Sequence, residues 1–424
     1  MLDLKFILAN KAAVAENCVN RNVKVDLDLV ESLAKQKSEL NVSTQGASER
    51  LNKIAEEIKM GQGDKESLVK EGKEIKLSLK GKEDELTKVG AALTEELYKI
   101  PNMTDPSAPL GKLDTDNKEI KVVGKKPEFK FEAKDHMALG EKLDWFDFEA
   151  ANLTTGNKFY FLKNEAVLLE FALVRYALDI LIKEGFSLRT TPDLAKLEIF
   201  EGTGYAPRGN ETQIYRIEGE NLALVAPAEI TLGGAYKDKL FSHASELPVL
   251  LGGVSHCFRT EAGAYGKASR GLYRVHQFTK VEMFMFSAPE DSAKLLDKLL
   301  AVEEQIFSGL EIPYHVVDCC TGDLGGPAYR KYDIEAWLPG ENRWGEVTSA
   351  SNCTDYQSRR LGTKFKKDGG SKSELVHTLN GTAIAITRAI MALMENHQNE
   401  DGSINIPKAL QPYLGMEKVS PKKV

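Results

Sequence analysis

Residues 258–282 read FRTEAGAYGKASRGLYRVHQFTKVE, with charges recurring along two runs that flank a glycine-rich turn. Side chains on a strand alternate between faces, so Arg259 and Glu261 share one face. On the second run Arg274, His276, Phe278, Lys280 and Glu282 share a face, while Val275, Val281 and Met283 fall on the other. The loop 262–271 has the small residues that let a ligand approach the backbone. Taken alone, these residues leave two readings open: a solvated face of an antiparallel sheet, or the floor of a ligand site.

The elements that must carry this hairpin belong to a chain of 424 residues, enough for two or three domains. Net charge is −7 with 28% charged residues, so there is no global basic field, and any nucleic-acid contact must come from a local patch. The cysteines, Cys18, Cys257, Cys319, Cys320 and Cys353, are odd in number and form no C-x-x-C pair. That argues against a disulfide framework and a zinc ribbon, and favours a reducing compartment. His256, His276 and His377 lack metal-ligand spacing. With no secretory signal pattern and no apolar run long enough for a bilayer, a soluble, cytoplasmic protein without membrane partners is expected.

The first hundred residues differ from the rest. They are rich in Lys, Glu and Leu, and Leu33, Leu40, Ala47 and Ile54 are spaced by seven, with Leu51 and Ile58 beside the last two. After Gly61-Gln62-Gly63-Asp64, a second seam runs through Leu68, Ile75 and Val89 with Leu79, Leu86, Leu93 and Leu97. This predicts an antiparallel helical hairpin over about 27–99, on the order of 50 Å long, projecting into solvent. Lys82 in a core phase, Gly72, Gly81 and the weak helix former NVSTQGAS at 41–48 predict flexibility midway. Lys73, Lys76 and Lys80 share one helical face, which is a candidate nucleic-acid contact.

The boundaries expected are a domain over 1–105, a polar, proline-containing linker over 106–130, and a mixed α/β domain over 131–424. In the last, an amphipathic helix presents Leu168, Leu169, Ala172, Leu173, Tyr176, Ala177 and Ile180. Strands are predicted at 222–230, 254–261, 273–286, 313–319, 331–337 and 343–349, and a helix at about 382–397. There is no P-loop and no G-x-G-x-x-G after a strand, so a bound nucleotide would not sit in a Walker or Rossmann fold.

Together these pieces resemble the bacterial and organellar seryl-tRNA synthetases, which are class II aminoacyl-tRNA synthetases. The hairpin looks like that family's tRNA-binding arm. FRTEAGAYGKASRGLYRVHQFTKVEMF is similar to its motif 2, LNGTAIAITRAIMALMENHQNEDGSINIPKALQPYL to motif 3, and FALVRYALDILIKEGFSLRTTPDL, with Pro192, to the motif 1 through which the family dimerises. WGEVTSASNCTDYQSRR is a further match. The resemblance implies an α+β fold: a helical coiled-coil arm and a catalytic domain built on an antiparallel sheet flanked by helices. It also implies ATP and Mg²⁺, L-serine and tRNA-Ser as ligands, and a homodimer in which the arm of one subunit reaches the long variable arm of tRNA bound by the other. Selenocysteine tRNA would be serylated where present.

The resemblance further assigns roles. Arg259 would grip the α-phosphate, Glu261 the adenine end of ATP, Phe278 the adenine ring, Arg274 the phosphates, and Arg388, expected mid-helix, the γ-phosphate and the other adenine face. Glu346 and Ser349 would face Mg²⁺, and Arg259, Arg388 and Glu346 would carry catalysis. Glu229 and Glu282 would meet serine's ammonium and hydroxyl, with Asn380 and Thr382 closing the hydroxyl side. One departure stands out: LVAPAEITLGG carries Pro227 where the family has threonine. Proline offers neither a hydroxyl nor an N–H, so weaker serine binding or altered specificity is the alternative expectation. A paralogue charging a carrier protein should lack the arm, and a non-enzymatic relative should lack Arg259, Glu346 or Arg388; all are present.

Overall fold

The computed structural model describes residues 1–205, 214–261, 271–367, 370 and 372–422. Two compact units emerge, Leu2–Pro101 and Asn102–Val424. In the first, α1 (Leu4–Ala9) and α2 (Lys11–Asn20) precede two long helices, α3 (Leu27–Lys59) and α4 (Lys65–Lys99). Both long helices start at an aspartate that satisfies a free backbone donor: Asp26 accepts from Leu29 N–H and Asp64 from Ser67 N–H. The turn between them uses Gly61 and Gly63 at positive φ. Val30, Ile54, Leu68, Val89, Leu93 and Leu97 are buried along the seam.

Helix α3 runs unbroken through 41–48, where the sequence predicted weakness. Thr44 and Ser48 direct their hydroxyls back to the carbonyls of Leu40 and Thr44, 2.9 and 3.0 Å away, so their polar groups are satisfied without leaving the helix. Lys82, the charged intruder in the seam, donates to Ser43 Oγ at 2.6 Å. Arg50 forks onto Glu71 across the hairpin at 2.7 and 2.8 Å.

The second unit is built on an eight-stranded sheet. Its members in chain order are β1 (Lys118–Val123), β2 (Ser187–Thr190), β3 (Val249–Phe258), β4 (Gln277–Ser287), β5 (Tyr314–Asp318), β6 (Arg330–Leu338), β7 (Arg343–Thr354) and β8 (His377–Ala385). In space they run β1-β5-β6-β7-β8-β4-β3-β2, antiparallel throughout except for the β2–β3 pair. The helices used below are α5 (Glu165–Lys183), α6 (Glu229–Gly234), α7 (Ser292–Gly309), α8 (Tyr356–Leu361) and α9 (Ile386–Asn396). One sheet face is the core: Val281, Met283 and Met285 of β4, Ala350 of β7 and Leu379 of β8 pack with Leu169, Leu173 and Ala177 of α5, Leu299 and Ile306 of α7, and Ile390 and Leu393 of α9. The opposite face carries polar groups on one stretch and an apolar cluster with Phe284 and Phe286 on another.

Three sequence expectations change. Lys118–Val123, inside the stretch read as linker, is an edge strand paired with β5. Residues 222–230 are strand only over Leu222–Leu224 and turn helical at Glu229. The helix expected at 382–397 begins at Ile386, because 377–385 is a central strand laddered to β4 and β7. Its neighbours on both sides override a pattern that, read locally, looks helical. Most of the small-residue loop, 262–270, lies outside the described residues.

Candidate active site

The polar face of β4 sets the site. Phe278, Lys280 and Glu282 alternate with the core residues Val281 and Met283, so the predicted period of two holds along this strand. Arg274 lies just outside β4 but lines the same cleft. Further along, the same face carries Phe284 and Phe286, which pack under Ala228 and Leu232 of α6. The cleft thus ends where α6 covers the sheet.

Two bulges bring the other strands into phase. Between β6 and β7, Ile334 pairs with Thr348 but Glu335 pairs with Glu346, leaving Val347 as the extra residue. Glu346 and Ser349 are three apart and would face opposite sides of a regular strand; the bulge puts both on the cleft. Between β8 and β4, Thr382 pairs with Glu282 and Ile384 with Val281, so Ala383 is extra. Arg388 follows on the first turn of α9 rather than mid-helix, which explains a charge beside Ile386 and Ile390. It points off the helix start into the cleft while the isoleucines turn to the core.

One cleft therefore joins Arg259, Glu261, Arg274, Phe278, Glu346, Ser349, Thr382 and Arg388. Arg388 donates to the Glu346 carbonyl at 2.9 Å and pairs with its carboxylate at 3.2 Å. Crowding by the protein pushes the Glu346 carboxyl up, but Arg388, then Lys331 and Arg259, outweigh this and hold it below the usual range. Its side chain is still 43% exposed, so an ionised oxygen is open to the cleft. The Arg259 guanidinium sits 5.5 Å from the Phe278 ring centre. Arg259 and His276 are locked by a backbone bond of 2.9 Å and by the His276 imidazole on the Arg259 carbonyl at 2.8 Å. Arg274 reaches Glu261 at 3.3 Å.

Beside this cationic cleft lies an acidic pocket. Glu229, the first residue of α6, accepts from Gln357 Nε2 at 2.6 Å and from Asn380 Nδ2 at 2.8 Å. Glu282 pairs with Lys280 at 2.6 Å, and Lys280 donates to Thr382 Oγ1 at 3.1 Å, which joins the pocket to the cleft. Burial, with repulsion from Glu282, pushes the Glu229 carboxyl up to about 7. Burial likewise raises Glu282 despite Lys280. Two crowded carboxylates with one lysine between them favour a further cation.

Sequence reasoning missed the supporting roles of three residues. Gln357 bridges Glu229, the Thr203 carbonyl and Thr378. Lys280 was read only as a member of the charged face. Tyr273 lies between the guanidiniums of Arg343 and Arg388, 4.7 and 4.6 Å from its ring centre. The one available signal was position: Tyr273 sits beside Arg274, and Gln357 falls in the quoted stretch WGEVTSASNCTDYQSRR. Lys73, Lys76 and Lys80 are exposed on α4 in the other unit.

Residues 1–104 match the family model of the seryl-tRNA synthetase N-terminal domain, and 213–397 match the class II tRNA synthetase core domain of the G, H, P, S and T enzymes. The chain is 53% identical to the serine-tRNA ligase of Rubrobacter xylanophilus, covering 99% of both chains. It is 52% identical to that of Treponema denticola, over 99% of this chain and all of the relative. Among solved structures, the seryl-tRNA synthetase of Pyrococcus horikoshii complexed with ATP is similar over the full length of both chains, with a TM-score of 0.90 and 38% identity.

Proposed function

The chain belongs to the seryl-tRNA synthetase family, and on that premise we infer that it activates L-serine with ATP and transfers the seryl group to tRNA-Ser. The observation that carries the reading is the cationic cleft opening, through Lys280 and Thr382, onto the acidic pocket of Glu229 and Glu282. Activation needs a carboxylate and a triphosphate held together, and an ammonium held beside them.

In this reading serine's ammonium lies against Glu229 and Glu282, and Asn380 and Thr382 face its hydroxyl. The serine carboxylate then attacks the α-phosphorus of ATP in line, and the bond to the bridging oxygen of pyrophosphate breaks. No general base is required, because the nucleophile is already ionised. Arg259 on the α-phosphate and Arg388 on the γ-phosphate stabilise the charge that builds on phosphoryl oxygens. Arg274 adds to the phosphate contacts, Glu261 takes the adenine end, and Phe278 and Arg388 hold the adenine ring between them. Glu346 and Ser349 fit Mg²⁺: an ionised oxygen open to the cleft beside a hydroxyl is a hard donor set. Bound there with ATP, the ion would neutralise phosphate charge. In the second step the terminal ribose hydroxyl of tRNA attacks the seryl carbonyl, its proton passes to a phosphate oxygen of the adenylate, and the acyl–phosphate bond breaks to release AMP.

The arm, with Lys73, Lys76 and Lys80, would contact the long variable arm of tRNA-Ser and of selenocysteine tRNA where present. Exposed Leu153, Phe161, Leu168 and Phe171, the last two on α5, suit a homodimer contact. No helix among the described residues is long and apolar enough to cross a membrane, and a cytoplasmic location follows from the assigned activity. Altered specificity through Pro227 has no supporting observation: the proline precedes α6, and Glu229 keeps both of its amide donors. The decisive experiment is ATP–pyrophosphate exchange across the standard amino acids. Exchange with serine alone supports the reading, and exchange with another amino acid or with none overturns it.

A further inference from the structure

On the helix side of the sheet, directly behind Thr382, α7 places a glutamate within the hydrophobic core. Glu303 is fully buried, and among the described residues no donor is aimed at either of its oxygens. The sheet makes room for it: a Cβ at Gly381, between Asn380 and Thr382, would come within 2.9 Å of Glu303 Oε1. Thr348, the residue before Ser349, is buried two residues from Ala350, the partner of Gly381, and so shares the sheet face that Glu303 covers. The Thr348 hydroxyl donates to the Thr382 carbonyl. The contact falls where the β7–β8 ladder has ended at Ala350 and Gly381 and the β8–β4 register shifts, so a side chain replaces a backbone bond at the bulge.

We propose that Glu303 is a positioning residue for the serine pocket: its carboxyl donates to Thr348, Thr348 donates to the Thr382 carbonyl, and this chain fixes the bulge that aims Thr382 and Asn380. Thr348 has committed its own proton, so a bond between the two groups needs the donor on the glutamate. Burial pushes the Glu303 carboxyl well above the ordinary range, and the charges of Asp333 and Glu282 add to it. A donor in an apolar core is worth keeping only where geometry depends on it.

The inference rests on the serine reading of the pocket, and its test separates the two. E303Q keeps a donor, E303M keeps volume without one, and T348V cuts the chain at its second link. In ATP–pyrophosphate exchange, E303M and T348V should raise the serine KM about tenfold while the ATP KM moves less than about twofold, and E303Q should stay within about threefold of the parent. Amide hydrogen exchange over 380–385 should quicken in E303M and T348V and not in E303Q, whether or not the parent is active with serine. An unchanged serine KM and unchanged exchange in E303M would overturn the proposal. So would an E303Q as impaired as E303M, or equal rises in both KM values. A parent that ignores serine would overturn the functional reading alone, leaving hydrogen exchange to decide on Glu303.

Discussion

Burial and the nearby Glu282 together push the Glu229 carboxyl up to about 7, so proton loss from this group and capture of an ammonium are linked. Below pH 7 the protonated acid offers no charge to serine. In ATP–pyrophosphate exchange, kcat/KM for serine should therefore fall about tenfold per pH unit below that value and level off just above it. E229Q should remove this limb and lower kcat/KM about 10- to 100-fold, the size of one lost bond to a charged group, with the ATP KM nearly unchanged. A retained acid limb in E229Q would assign the titration elsewhere. The opposite logic holds at Glu346, where Arg388 keeps the carboxylate ionised against its crowded surroundings.

Among the elements, the edge strand β1 shows how a segment with linker-like composition joins a sheet. Its residues are exposed or only partly buried, and its attachment to β5 includes His315, whose Nδ1 meets Glu119 at 2.8 Å and whose Nε2 meets Glu335 of β6 at 2.7 Å. The ring stacks on Trp344 with centres 4.4 Å apart. Burial pushes the imidazole down, but the carboxylates of Glu335 and Glu119 outweigh it and raise it above its ordinary value. A raised histidine contributes stability that is complete below its unfolded value, about 6.5, and is lost as pH rises through the folded one. H315Q should thus lower stability at pH 6 by on the order of 1 kcal/mol once screening of the exposed Glu119 is allowed for, seen as a lower melting temperature, and have less effect at pH 9. An equal loss at both pH values would show that packing on Trp344 dominates.

At the scale of the molecule, the two units divide the labour assigned here. Deleting residues 30–98 should abolish charging of tRNA-Ser while sparing serine-dependent ATP–pyrophosphate exchange, because none of the cleft or pocket residues lies in the arm. Charging that survives the deletion would refute the arm's role. The apolar side chains left exposed on α5 lead to a second expectation: L168D with F171D should shift the protein from dimer to monomer in light scattering. A parent already monomeric at micromolar concentration would remove that reading.

The hairpin of α3 and α4 was legible in the chain because a seven-residue spacing and a glycine-containing break at 61–64 are local signals. The charged face of β4 was legible for the same reason, since alternation needs only one strand. The continuity of α3 through 41–48 was not legible, since side-chain hydroxyls bonded back to helix carbonyls are invisible to propensity. Likewise, nothing local marks where β8 ends and α9 begins, because the strand state of 377–385 comes from its two partners. Residue types and spacing by themselves determined that one strand face is charged, a solvated surface or a ligand floor; the phosphate and ammonium roles came with the family resemblance. Only the tertiary structure decided how the side chains meet, because the bulges at Val347 and Ala383 reset a period that the sequence can express only as unbroken.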